Sequence, residues 1–253
     1  MIRAEILKLR RSSVWAFAVI LPLLAVISGG VNYWMNREML SNGWDSMTSQ
    51  VTLFYGMLFY SIGVALLIAS LWRPEHQTSS WNTALVTGRP RMAPIAAKMI
   101  VAMIPVAAIQ VCLLALTFIF GKAIGLDGGL PASFIQGALF VIVVSIPLVL
   151  FQSLLSMVMK SFAAPVAISM GLCLIGFLAL AGSASNGIAD VVSWILPHAL
   201  VTRSMFLGST SIDNSGVLSI ETGTPLLISV VLMSVLLLGV TAWVARRRTV
   251  TAH

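Results

Sequence analysis

The sequence predicts an all-α integral membrane protein with six transmembrane helices and both termini in the cytoplasm. Of its 253 residues, 58% are hydrophobic and only 9% are charged, whereas a soluble domain carries about 25% charged residues. Six long stretches contain no Asp, Glu, Lys or Arg, and each holds the roughly 20 apolar residues that a helix needs to cross the hydrocarbon core. These stretches are continuous and do not alternate with period two, which favours helices over a membrane barrel.

The orientation follows from the distribution of Lys and Arg, which accumulate on the cytoplasmic side of membrane proteins. With six spans and cytoplasmic termini, twelve of the fifteen basic residues lie inside: Arg3, Lys8, Arg10, Arg11, Arg73, Arg89, Arg91, Lys98, Lys160, Arg246, Arg247 and Arg248. Of the eight acids, only Glu5 and Glu75 lie inside. The net charge of +7 is therefore explained by membrane topology, and no nucleic-acid partner is expected.

The N-terminal segment, residues 1–12, is predicted to form a short amphipathic helix in the membrane interface. Ile2, Ile6 and Leu9 share one helical face, as in helices that lie on a bilayer. The basic residues that point elsewhere are Arg3, Lys8, Arg10 and Arg11. The alternative is a basic flank of the first span without fixed structure.

The six spans are predicted at residues 14–31, 50–71, 95–120, 132–159, 163–184 and 224–245. Pro22, Pro105 and Pro147 lie inside them and are candidate kinks. Lys160 alone separates spans 4 and 5, so this inner loop is predicted to be very tight. The longest outer loop covers residues 185–223. Its apolar middle is broken by Pro197 and is too short to cross the bilayer, which predicts one or two short helices at, or dipping into, the outer leaflet.

The cytoplasmic loop at residues 73–91 is predicted to contain a short helix. Pro74 and Glu75 suit its first turn, although Thr78 or Ser79 would serve as the N-cap of a shorter helix. Its C-terminal end is predicted at Gly88, since glycine favours the position after a helix.

One face of this short helix carries Trp81, Ala84 and Leu85. An amphipathic helix presented to the cytoplasm either docks a soluble partner or rests on the lipid surface through Trp81. The residues alone leave both alternatives open.

The predicted span cores contain no acidic, basic or histidine residue, which disfavours an ion-coupled transporter. Their strongest polar side chains make hydrogen bonds between helices or line a substrate path; these are Gln110, Gln152, Ser153 and Ser156.

The sequence offers no catalytic or metal site. His76 and His198 are predicted on opposite sides of the membrane, so they cannot converge with each other. No glycine-rich lysine loop is present to bind nucleotide phosphates. The chain is therefore expected to have no catalytic residue, no metal and no cofactor, and to work passively or through the energy of a partner.

The order of these segments resembles the permease subunit of an ABC-2 type ABC transporter, and is most similar to the lantibiotic-immunity and bacitracin-export group. The resemblance is carried by Glu-x5-Trp-x3-Leu followed by Arg-x-Arg-x6-Lys, whose members are Glu75, Trp81, Leu85, Arg89, Arg91 and Lys98. It implies that residues 73–91 form a coupling helix on the ATPase subunit. It also implies that the segment around Lys160 makes a second contact and that residues 1–12 form the connecting helix.

The resemblance further implies a single permease domain over residues 1–253 in a bacterial cytoplasmic membrane. Two copies of an ABC ATPase would bind ATP and Mg, and a second permease subunit, identical or homologous, would complete the path. The expected substrate is an amphipathic antimicrobial peptide or a drug. The alternative is a membrane anchor or sensor subunit that recruits a cytoplasmic partner without transport.

Overall fold

The computed structural model describes residues 2–10, 12–77, 92–207 and 220–247 of the chain, which are helical apart from short connections. The described α-helices are α1 (Ile2–Arg10), α2 (Val14–Met35), α3 (Gly43–Phe54), α4 (Tyr60–Gln77), α5 (Met92–Ala123), α6 (Ala132–Val144), α7 (Ile146–Val158), α8 (Ala163–Gly182), α9 (Gly187–Ile195), α10 (Pro197–Phe206) and α11 (Ile220–Arg247). A π-helical segment, Tyr55–Phe59, joins α3 to α4 without a break.

Five continuous helices in this part of the chain are long and apolar enough to cross a membrane. They are α2, the combined helix Gly43–Gln77, α5, α8 and the segment Gly223–Arg247 of α11. The bent pair α6–α7 supplies a sixth span when it is counted as one. The prediction of an all-helical, multi-pass membrane protein is confirmed.

The fourth span bends by 42° between α6 and α7, next to Pro147 in the first turn of α7. The Ser145 hydroxyl lies at the break, donates to the Val141 carbonyl at 2.5 Å and is 2.5 Å from the Tyr60 hydroxyl. A proline lacks the N–H of the helical ladder, and these hydroxyls provide polar contacts where the helix is interrupted. Pro22 and Pro105, the other predicted kink sites, lie inside uninterrupted helices.

The predicted short helices of the 185–223 segment are α9 and α10, which form a hairpin that reaches deep into the bundle. His198, in the first turn of α10, lies 2.8 Å from the Ser169 hydroxyl of α8. Helix α8 ends at Gly182, close to where α9 begins. With a helical rise of about 1.5 Å per residue, Ser169 lies about 20 Å along α8 from Gly182. The hairpin therefore packs well beyond the middle of α8.

The π-helical segment of span 2 is the docking point of this hairpin. A π turn displaces backbone carbonyls from the regular α-helical ladder. The Thr202 hydroxyl of α10 donates to the Gly56 carbonyl at 3.1 Å. The Cys173 thiol of α8 donates to the Met57 carbonyl at 2.9 Å. Side chains of two neighbouring helices thus use carbonyls from this single segment.

Close approach of the hairpin to α8 depends on Gly176. A Cβ atom at this position would lie only 2.9 Å from the Ala199 backbone nitrogen of α10. On the same helix, Gly171 has no heavy atom within 4 Å of the corresponding point and is exposed. Small residues at such crossings let helix backbones approach closely in membranes.

Gly176→Leu is expected to push α10 away from α8 and to destabilise the protein by about 1–3 kcal/mol, as overpacked cores do. Gly171→Leu is the matched control and should leave the melting temperature unchanged, because its side chain enters the lipid. Thermal unfolding of both variants in detergent, followed by tryptophan fluorescence, measures the difference. Equal shifts for the two variants would show that the crossing does not need glycine.

Candidate functional site

The N-terminal helix α1 packs against the beginning of span 3 at one end of the bundle. Leu9 is buried, and the Trp15 indole of α2 donates to the Leu9 carbonyl at 3.1 Å. Ile2 and Ile6 remain exposed, as the predicted lipid-facing surface requires. The predicted helix is present, while its interfacial position stays a prediction. Arg3, Lys8 and Arg10 lie on it, and Arg11 is outside the described residues.

Four charged side chains from three helices form a closed ring at this end of the bundle. We call Glu5, Lys8, Glu75 and Lys98 the charge cluster. The Lys8 ammonium lies 2.8 Å from Glu5 Oε1 and 2.9 Å from Glu75 Oε1. The Lys98 ammonium lies 2.7 Å from Glu5 Oε2 and 3.2 Å from Glu75 Oε1. Two carboxylates and two ammonium groups alternate, so the cluster is neutral as a whole.

Lys98 is the buried centre of the charge cluster, with only 6% of its side chain exposed. Its ammonium also donates to the Leu71 carbonyl of α4 at 3.0 Å. The ammonium is thereby hydrogen-bonded to Glu5 and to the Leu71 carbonyl and ion-paired with Glu75. The ammonium also lies 5.6 Å from the centre of the Trp72 ring, within the range of a cation–π contact. Burying a charge is tolerable only with such complete pairing.

The carboxylates of the charge cluster favour the charged form of its more exposed lysine, Lys8. Partial burial lowers the pKa of Lys8, but its hydrogen bonds to Glu5 and Glu75 and their negative charges outweigh that effect. The pKa of Lys8 is therefore raised above its ordinary value.

The structure corrects the predicted position of Glu75. Pro74 and Glu75 lie in the last turns of α4, which runs on to Gln77, and not in the first turn of a separate helix. The ion pairs with Lys8 and Lys98 hold Glu75 against α1 and α5. The helix of span 2 therefore continues beyond its predicted end at residue 71 and includes Glu75. The other predicted coupling-helix residues lie outside the described residues: Trp81, Leu85, Arg89 and Arg91.

The turn between α7 and α8, which contains Lys160, lies beside the end of α4. The sequence predicts that this turn and the loop after span 2 lie on the same side of the membrane. His76 Nε2 is 2.6 Å from the Ser156 carbonyl, which joins α4 to α7 at this end. Lys160 itself is exposed. The end of span 2, the start of span 3 and this turn therefore face the same side of the bundle.

The four predicted path residues are buried between helices of the single chain: Gln110, Gln152, Ser153 and Ser156. The Gln152 amide donates to the Pro165 carbonyl of α8 at 3.1 Å, which is an interhelical hydrogen bond of the kind considered from the sequence. Gln110 lines a small cavity beside Tyr55. A role of these residues in a substrate path stays a prediction.

His198, predicted on the outer side in a short helix at, or dipping into, the outer leaflet, lies inside the helix bundle. The re-entrant hairpin carries it into the bundle, where it is fully buried and lies edge-on to Phe151, with 5.8 Å between the ring centres. The sequence placed it in an outer loop because hydropathy does not distinguish a surface helix from a hairpin that folds back into the bundle.

Glu5 is the member of the charge cluster that the sequence reasoning did not single out as a site residue. A signal was available, because Glu5 and Glu75 are the two acids on a side that carries twelve basic residues. Isolated acidic residues among many basic ones are expected to form ion pairs with some of them. The identity of those basic partners depends on tertiary contacts between residues far apart in the sequence.

Lys98→Met is expected to destabilise the protein by about 3 kcal/mol or more, because it leaves two largely buried carboxylates to one exposed lysine. Lys122→Met, at the exposed far end of α5, is the matched control and should change stability by less than about 0.5 kcal/mol. Thermal unfolding in detergent measures both. Adding Glu5→Gln to Lys98→Met should recover part of the loss, and a strictly additive double variant would contradict the pairing.

The comparisons with known proteins agree with this architecture. A family model described as ABC-2 family transporter protein matches residues 1–176 of the 253-residue chain. The matched region includes all four members of the charge cluster and ends within α8. No curated protein matches the chain significantly. Since the family model covers more than half of the chain, the protein belongs to the ABC-2 family of transporter membrane proteins.

Proposed function

We propose that the chain is the membrane-spanning permease subunit of an ATP-driven ABC exporter. Permeases of the ABC-2 family normally pair with an ABC ATPase. In the proposed complex, two ATPase copies bind ATP and Mg, and a second permease subunit, identical or homologous, completes the translocation path. The charged end of the bundle, which carries α1, faces the bacterial cytoplasm, in agreement with the excess of Lys and Arg there.

The observation that carries this proposal is the position of the charge cluster on both flanks of residues 78–91. Glu75 shortly precedes this segment and Lys98 shortly follows it. Glu75 pairs with Lys8 of α1, Lys98 pairs with Glu5 of α1, and the two residues also pair with each other. A movement imposed on the segment by an ATPase would therefore reach α1, α4 and α5 together. That is the mechanical requirement for a coupling helix, whose proposed contacts are Glu75, Trp81, Leu85, Arg89 and Arg91.

The second proposed ATPase contact is the turn that contains Lys160. Its exposed position beside α4 places it next to the ends of the proposed coupling segment. The hydrogen bond between His76 and the Ser156 carbonyl links the two regions. One ATPase domain could thus drive spans 2 to 5, with rocking of packed helices as the expected response.

The proposed substrate is an amphipathic, membrane-associated compound, such as a lantibiotic-like antimicrobial peptide or a drug. Support comes from the span interiors, where the predicted path side chains Gln110, Gln152, Ser153 and Ser156 are polar and uncharged. The buried ammonium of Lys98 is neutralised by its carboxylates. Such an interior suits extrusion of a compound from the membrane and offers little to a strongly charged solute.

Purification of the tagged chain from native membranes tests the partnership. An ABC ATPase should co-purify in equal copy number with the permease, and substrate transport into inverted vesicles should require ATP. Recovery of a different cytoplasmic protein without any ATPase would favour the anchor or sensor function. Proton- or sodium-driven flux without ATP would exclude the proposed energy source.

Trp81→Ala is expected to weaken ATPase association at least tenfold, because tryptophans at the centre of interfaces contribute about 2 kcal/mol or more. Trp34→Ala is the matched control, since Trp34 is exposed at the opposite end of α2 and should leave association unchanged. Titration of the purified ATPase onto detergent-solubilised permease measures both.

Glu75→Arg tests the charge cluster's part in coupling. It should lose the stimulation of ATP hydrolysis by substrate, because it places a third cation beside Lys8 and Lys98. Unchanged coupling in both Trp81→Ala and Glu75→Arg would contradict the proposed role of this region.

A further inference from the structure

A cavity of about 230 Å³ opens at the α1 end of the bundle, between the last turns of α4 and the turn that joins α7 to α8. We call it the basal cavity. Its polar lining includes Arg73, His76, Ser156, Lys160 and Ser161. Its volume is several times the roughly 30 Å³ that one water occupies in the liquid. It can therefore hold a group larger than a single ordered water.

The basal cavity carries positive charge that no carboxylate in its lining balances. Arg73 and Lys160 contribute two permanent cations, and no Asp or Glu is among the described lining residues. Glu75 is close in sequence, but its carboxylate faces Lys8 and Lys98 in the charge cluster. An anion is thus the complementary ligand for this cavity.

The N-terminal end of α8 adds to the attraction for an anion. This 20-residue helix begins at Ala163, directly after the lining residues Ser161 and Phe162. The first turn of a helix presents N–H groups and a partial positive charge. The same end of the cavity therefore combines a helix dipole with the Lys160 side chain.

The remaining wall of the basal cavity is apolar. Phe162 is partly exposed and lies 5.8 Å from the Arg73 guanidinium, and the side chains of Met159 and Pro165 complete this wall. The cavity lies where three apolar spans end, which is where the predicted topology expects lipid headgroups. A ligand with a phosphate and a hydrocarbon chain matches both parts of the lining.

We propose that the basal cavity is a binding site for the phosphate group of an acidic phospholipid. Arg73 and Lys160 pair with the phosphate, and the acyl chain lies against Phe162. The site is separate from the charge cluster and does not depend on the proposed transport function. A bound lipid would join span 2 to the turn between spans 4 and 5.

Native mass spectrometry of the full-length chain in detergent tests this site, with dioleoyl phosphatidylglycerol and dioleoyl phosphatidylcholine as the titrated lipids. Phosphatidylglycerol should bind about tenfold more tightly than phosphatidylcholine. The double variant Arg73→Gln/Lys160→Gln should lose this preference. Arg246→Gln/Arg247→Gln removes the same charge from α11 and should keep it. Equal binding of the two lipids, or equal losses in the two double variants, would overturn the proposal.

A competition measurement identifies the source of the anion. Inorganic phosphate at 10 mM should not displace phosphatidylglycerol, because it has no acyl chain to contact Phe162. Displacement would assign the cavity to soluble phosphate and overturn the lipid assignment.

Discussion

The architecture of the α1 end depends on one constraint, which is the neutralisation of the buried Lys98 ammonium. A charge in such surroundings is stable only when it is paired and fully hydrogen-bonded. Glu5, Glu75 and the Leu71 carbonyl meet this need from two other helices. Satisfying one lysine therefore fixes α1 and the end of span 2 against the start of span 3. The segment between spans 2 and 3 begins and ends on this common base.

In the opposite half of the bundle, neutral hydrogen bonds hold the helices against one another. The π-helical segment of span 2 offers carbonyls to Thr202 and Cys173, and Gly176 lets the re-entrant hairpin approach α8. Span 2 consequently takes part in both arrangements, with ion pairs at one end and shared carbonyls further along its length. A displacement of span 2 would therefore change both the ion pairs of the charge cluster and the contacts with the hairpin.

Much of this arrangement follows from the sequence, because the spans, the tight turn at Lys160 and the bend near Pro147 depend on local hydropathy and backbone chemistry. Three features required tertiary information. Glu75 extends span 2 because of partners on α1 and α5, which no local pattern reveals. The depth of His198 depends on how the hairpin packs against α8. The π segment is a local departure whose carbonyls are used by distant helices. The contacts of Trp81, Leu85, Arg89 and Arg91 lie outside the described residues and stay predictions.

The central claim is that the charge cluster fixes α1 to span 3. Distance measurement by electron paramagnetic resonance tests it directly, with spin labels at Arg10→Cys on α1 and Ile119→Cys at the far end of α5, in a chain carrying Cys112→Ala and Cys173→Ala. The account predicts one narrow distance distribution, which broadens when Glu5→Gln removes one carboxylate from the cluster. An equally narrow distribution in the Glu5→Gln variant would show that other contacts hold α1 in place, and would contradict the account.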